Sequence, residues 1–301
     1  MPEAAEYTSD AAALADFLDR HPRLLVLTGA GCSAPSGIPD YRDADGAWKH
    51  TKPMSFADFT TSALARRRYW AGSLRGWPRV RDARANDAHL ALARLEHEGR
   101  VVRLVTQNVD GLHQRAGSRR VVDLHGRLDF VECLGCGAVV HREDVQALLL
   151  SWNPRFAPAA TDGRPAVHAR AGVDGEMRPD GDVTVAASPD DLQVPDCREC
   201  GGVLKPRVVF FGENVPRSRV AEALAALDEA DALLVVGSSL MVYSGYRFVR
   251  AARERGRPVA LVNLGRTRAD GDCCLKLERD CATLLPAVAS GARSVAAPGR
   301  L

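Results

Sequence analysis

The sequence predicts an α/β fold: a doubly wound parallel sheet with a smaller cysteine-bearing module inserted into it. Three observations predict it. Short, nearly continuous apolar runs occur at Leu24–Leu27, Val101–Val105, Leu233–Val236 and Val259–Val262. Helical spacings lie between them. Two Cys-x-x-Cys pairs, Cys133/Cys136 and Cys197/Cys200, sit in a segment that breaks the alternation.

The size and composition permit this. A chain of 301 residues, 46% of them apolar, can bury a large core and still carry an appended module. A net charge of +2 gives no general grip on nucleic acid or on an acidic membrane. The segment Met1–Asp10 has no apolar stretch and carries Glu3, Glu6 and Asp10, unlike a secretory or transit leader. No apolar run approaches the roughly 20 residues of a membrane span. The expectation is a soluble, cytoplasmic protein with neither nucleic acid nor membrane as partner, its oligomeric state left open.

Each element follows from its residues. Runs of Val and Leu suit strands covered on both faces, and Val208–Phe211 is a further candidate. Asn86 can cap a helix with Ala88, Leu92 and Leu95 on one face; Val220, Leu224 and Leu227 repeat that spacing. Residues Asn153–Pro195, rich in Pro, Gly, Asp and Arg, read as a long loop or loosely ordered insertion, and the chain from Ala292 as a frayed tail.

In a doubly wound sheet, ligands bind where loops leave the carboxyl ends of strands. The first run ends in Thr28, Gly29, Ala30, Gly31, Cys32 and Ser33. Its glycines let backbone N–H groups approach a pyrophosphate, and a following helix N-terminus would favour the anion. A tight strand-to-helix turn explains the same glycines. The third glycine of the dehydrogenase fingerprint is absent, because Ala34 stands there.

Further strings follow in order: Gly37 to Arg42 (Gly-Ile-Pro-Asp-Tyr-Arg), Thr106 to His113 (Thr-Gln-Asn-Val-Asp-Gly-Leu-His) and Leu124-His125-Gly126. After the cysteines come Phe211-Gly212-Glu213, Val236 to Ser239 and Val262 to Gly265. This ordered set resembles the sirtuin family over about Leu24 to Cys281. Residues 1–128 and 206–291 would then form a discontinuous NAD-binding, Rossmann-like domain, 129–205 a zinc-binding module with a long insertion, and 292–301 the tail.

The resemblance implies roles. Gly29, Ala30, Gly31 and Ser33 would cradle the NAD pyrophosphate. Pro39, Asp40, Tyr41 and Arg42 would lie in a cofactor loop. Gln107, Asn108, Val109 and Asp110 would line the nicotinamide and ribose pocket. Gly237, Ser238, Ser239, Asn263, Leu264 and Gly265 would hold the adenosine half, with Cys281 near the adenine. Val209, Phe210, Phe211, Gly212 and Glu213 would take an acyl-lysine peptide as an added strand, a mode that implies weak sequence selectivity.

The implied activity is NAD-dependent deacylation of protein lysines. The acyl oxygen attacks the nicotinamide ribose, with Asn108 and Asp110 positioning it. His125 then takes a ribose hydroxyl proton, giving lysine, nicotinamide and O-acyl-ADP-ribose. Taken alone, an imidazole is more often a core or surface residue. That remains the reading of His89, His97, His113, His141 and His168, and the Leu-His-Gly context singles out His125. Two alternatives stand beside deacylation: ADP-ribosyl transfer to protein by the same NAD cleavage, and a weakly active NAD-sensing module.

Four thiolates in two Cys-x-x-Cys knuckles fit a closed, structural zinc site; a redox pair or two disulfides are the alternatives. Residues 137–196 must loop out for the knuckles to meet. Cys32 is expected to be a partly exposed, acidic and oxidisable thiol. The strings Tyr69-Trp70, Gly76-Trp77-Pro78 and Val242 to Phe248 look most like the class II branch. No Tyr-x-x-Arg pair occurs to hold a negatively charged acyl group.

Overall fold

The computed structural model describes residues 2–49, 53–156, 177–179, 181, 183 and 189–289. Six parallel strands form the main sheet, in order β3-β2-β1-β7-β8-β9. They are β1 (Leu24–Thr28), β2 (Val101–Thr106), β3 (Val121–Asp123), β7 (Ala232–Val236), β8 (Val259–Val262) and β9 (Leu275–Leu277). All of β1, β7 and β8 is buried, which is why these strands read as unbroken apolar runs.

Helices cover both faces. On one side α1 (Pro2–Arg20), α4 (Asp87–His97) and α9 (Cys281–Ala289) pack Leu14, Leu92 and Leu285 onto Val26, Leu104 and Leu234. On the other, α7 (Arg217–Glu229) and α8 (Tyr243–Glu254) bring Leu227 and Phe248 onto Leu25, Val105 and Leu233. Asn86 caps α4 as expected, its side chain accepting from the Ala88 N–H at 2.9 Å.

A second, antiparallel sheet has the order β5-β4-β6: β4 (Gly126–Cys133), β5 (Val139–His141) and β6 (Leu204–Val208). It reaches a few residues beyond 129–205 at each end. Its core also takes Phe59, Trp70 and Leu149 from α2 (Phe56–Thr61), α3 (Ala63–Asp82) and α6 (Arg142–Trp152). The short helix α5 (Leu112–Arg115) follows β2.

The candidate strand Val208–Phe211 is corrected. Only Val208 is in a regular strand, the antiparallel β6. Beyond it the backbone bonds singly: the Val209 N–H donates to the His125 carbonyl at 2.8 Å, and the Phe211 carbonyl accepts from the Phe56 N–H at 2.9 Å. An apolar run does not reveal which sheet it joins. Most of the insertion and the tail from Ala292 lie outside the described residues. Among the described residues, no helix is long and apolar enough to cross a membrane.

Candidate active site

The strand order reverses about β1, which has β2 on one side and β7 on the other. Thr28 pairs with both Thr106 and Val236. The three strands therefore end level, and the loops at Gly29, Gln107 and Gly237 leave from one edge, at the switch point where α/β sheets bind ligands.

The first and third loops lock together. Gly29 N–H donates to the Val236 carbonyl at 3.1 Å, and Gly31 N–H to the Gly237 carbonyl at 2.9 Å. A Cβ on Gly29 would lie 2.7 Å from Ser238 Cβ; one on Gly237, whose φ is +59°, would lie 2.2 Å from Cys32 N. Only glycine permits this approach. The expected helix after the loop is replaced by two 3-10 turns, Ala30–Cys32 and Ala34–Ser36, the second containing Pro35 and closed by Gly37 at φ +82°. Leu240 adopts φ +57°, strain held within the cavity wall.

The second loop is fixed by side chains. Asn108 donates from Nδ2 to the Gly29 carbonyl at 3.0 Å and to Ser33 Oγ at 2.9 Å. Ser33 in turn donates to Asp110 Oδ2 at 2.7 Å, and Asp110 Oδ1 accepts from the Leu112 N–H at 2.8 Å. Burial raises the Asp110 pKa; the Leu112 and Ser33 hydrogen bonds oppose that rise. Ser238 Oγ donates to Gln107 Oε1 at 2.7 Å, tying the second loop to the third.

His125 lies in the turn between β3 and β4. Its Nδ1 is 3.0 Å from the Gln107 carbonyl and its Nε2 is 2.8 Å from Ser244 Oγ. A carbonyl only accepts, so Nδ1 carries the proton and Nε2 presents a lone pair. Burial lowers its pKa to about 4. The imidazole is neutral at physiological pH and suited to accept a proton.

These groups share one cavity of about 360 Å³, within the range of small-molecule sites. Asp40, Tyr41 and Arg42 form one wall, backed by an aromatic cluster in which Trp48 lies 5.6 Å from Phe211 and Tyr41 lies 6.0 Å from Phe211. The Arg42 guanidinium sits 4.1 Å over the Trp48 ring. Val209 to Glu213 form the adjoining wall, Phe211 being shared with that aromatic cluster, and Pro179 of the insertion also lines the cavity. Buried Lys205 braces that wall, donating to the Val208 carbonyl at 2.7 Å and to Glu213 at 3.3 Å. Ser238, Ser239, Asn263 and Leu264 line the end beside β7 and β8.

Three expected site residues do not line the cavity. Gly265, at φ +76°, packs where a Cβ would lie 2.5 Å from the Ala44 carbonyl oxygen. Cys281 lies behind the glycine loop, its Sγ 3.8 Å from the Gly31 carbonyl. Pro39 precedes the lining residue Asp40. Cys32 also departs from expectation. It is fully buried, and the adjacent Cys281 thiol together with burial holds its pKa well above the ordinary range, the reverse of an acidic thiol.

The four knuckle cysteines converge, every pair of Sγ atoms lying within 4.8 Å. Cys133 and Cys200 are 3.5 Å apart, and Cys136 and Cys197 are 3.7 Å apart. Tetrahedral zinc with bonds of about 2.3 Å requires separations of about 3.8 Å, whereas a disulfide requires about 2.0 Å. All four are free thiols. The Cys136 and Gly135 amides point at Cys133 Sγ and lower its pKa, favouring the thiolate. The donor set fits a structural zinc ion.

The Sir2 family model matches residues 29–244, which include every loop just described up to Ser244. The chain belongs to the Sir2 family. A Bradyrhizobium diazoefficiens protein named NAD-dependent protein deacetylase 2 is 55% identical to this Sir2 chain over 273 residues, covering 90% of it and 95% of the relative. The Drosophila melanogaster NAD-dependent protein deacylase Sirt4 is 44% identical over 278 residues, covering 91% and 84%. Among solved structures, a complex described as Sir2-p53 peptide-NAD+ superimposes with a TM-score of 0.71 at 28% identity, covering 93% of this chain and 97% of that one.

Sequence reasoning missed several residues at this Sir2 site. Trp48 lies outside every motif singled out in the sequence, and Arg247 falls only in the Val242–Phe248 string with no role attached, yet both line the cavity. His89 and His113 are core residues, as expected, but they brace the site: His113 Nε2 lies 2.8 Å from Thr28 Oγ1, and His89 Nε2 lies 3.5 Å from Ser33 Oγ. The position of His113 beside the Gln107–Asp110 loop was the available signal. Ser244 stood within a quoted string, but spacing alone could not pair it with His125.

Proposed function

We propose that this Sir2-family chain is an NAD-dependent protein-lysine deacylase acting at the cavity shared by the three strand-end loops. The observation that carries the reading is His125: a neutral imidazole with a defined tautomer, in the same cavity as the Gly29–Ser33 loop and the Asn108–Asp110 pair. The named relatives and the peptide and NAD complex support the same reading.

NAD supplies a ribose carbon that accepts the acyl oxygen as nicotinamide leaves. The chain supplies the rest. Gly29 and Gly31 let the first and third strand-end loops close on each other, and Gly29, Ala30, Gly31 and Ser33 line the cavity where they would cradle a pyrophosphate. Gln107, Asn108 and Asp110, cross-linked to Ser33 and Ser238, orient the ribose and nicotinamide end. Gly237 to Ser239, with Asn263 and Leu264, take the adenosine end. Tyr41, Trp48 and Phe211 exclude water from the reacting carbon. Val209 to Glu213 offer backbone to an extended acyl-lysine peptide. His125 Nε2 receives the ribose hydroxyl proton.

The division of labour proposed is that 1–128 and 206–291 carry NAD while 129–205 carry zinc. The test is incubation with NAD and acetyl-, butyryl-, lipoyl- and succinyl-lysine peptides, followed by mass spectrometry. Deacylated peptide with O-acyl-ADP-ribose is expected. Mass added to protein without any acyl peptide would instead favour ADP-ribosyl transfer.

A further inference from the structure

Ser244 has no role in the reading above, yet it occupies the decisive atom of the base. It lies in the first turn of α8, is buried, and sits 2.8 Å from His125 Nε2. With Nδ1–H committed to the Gln107 carbonyl, the lone pair of the ring is on Nε2, so Ser244 must be the donor. Its hydroxyl oxygen retains lone pairs, and Ser244 and His125 both line the cavity. A ribose hydroxyl entering there meets a lone pair already occupied.

We propose that Ser244 relays the proton between the substrate hydroxyl and His125, an inference that rests on His125 being the base. The ribose O–H bond breaks and its proton joins Ser244 Oγ. The original Ser244 proton moves to His125 Nε2. The ribose oxygen keeps the electron pair and becomes the nucleophile, Ser244 ends unchanged, and the imidazolium donates to both Gln107 and Ser244. The seated hydroxyl also keeps water off the base before substrate arrives.

The test compares Ser244→Ala, Ser244→Thr and His125→Ala. Nicotinamide exchange reads the first bond cleavage, and deacylated peptide reads the whole reaction. Ser244→Ala should lower kcat for deacylation by at least about 10-fold, with KM and nicotinamide exchange within about 2-fold. Ser244→Thr, which keeps the hydroxyl, should retain most of kcat. An independent readout uses ligand-free protein with 15N-labelled histidine. In Ser244→Ala the His125 Nε2 resonance should move toward that of a nitrogen with a free lone pair.

Wild-type kcat in Ser244→Ala, or an unmoved Nε2 resonance, overturns the relay. If His125→Ala is inactive while Ser244→Ala is not, only the relay falls. If His125→Ala deacylates like wild type, the assignment of the base falls and the relay with it.

Discussion

At His125, the burial that depresses the imidazole pKa to about 4 also ensures that the neutral base dominates at pH 7. His125→Ala should reduce deacylation by roughly 10²- to 10⁴-fold while leaving NAD binding nearly unchanged, as kinetics and calorimetry would show. At Gly237 the constraint is steric. An added Cβ would meet backbone 2.2 Å away at a positive φ, so the loop must move. Gly237→Ala should weaken NAD binding and lower stability by more than about 1 kcal/mol, read by calorimetry and thermal melts. Unchanged binding would mean that the Gly31–Gly237 contact does not shape the NAD site.

Among the elements, the smaller antiparallel sheet is bordered by the four cysteines whose geometry fits a zinc ion. Cys133 ends β4 and pairs with Leu204 at the start of β6, so a metal at the four thiolates clamps that sheet. Chelation should release about one zinc per chain and lower hydrogen-exchange protection in β4 and β6 before β1 and β7. Equal loss in both sheets would contradict a separate clamp. The legibility of the elements follows from their burial. β1, β7 and β8 announced themselves because both faces are covered, and β2 because all but Val102 and Arg103 is buried. β3 and β9, three residues each at the sheet edges, offered too short a run. Val208–Phe211 looked like a core strand because Val208 and Phe210 are buried, though in the smaller core. The site motifs were legible because loops at level strand ends carry contiguous strings. Ser244, 119 residues from His125, and Trp48 meet the site only through tertiary packing.

For the whole molecule, His89, His113 and His125 couple stability to pH. Burial lowers His89 and His125 to about 4 and His113 well below its ordinary 6.5. The unfolded chain therefore binds protons that the folded chain does not. No penalty applies above about pH 6.5. Stability is lost as pH falls toward 4, at about 1.4 kcal/mol per unit for each group. Asp110, raised by burial, acts in the opposite sense nearer the carboxylate range. Thermal melts should show a falling midpoint from pH 7 to 5, and a flat profile would contradict neutral burial of these imidazoles. The central claim is that one cavity couples NAD cleavage to removal of a lysine acyl group. The direct measurement is the ratio of nicotinamide released to lysine deacylated, with purified zinc-loaded protein and an acyl-lysine peptide. A ratio of one, with no deacylation when NAD is omitted, is predicted. Deacylation without NAD, or no nicotinamide from any acyl-lysine peptide, would contradict it.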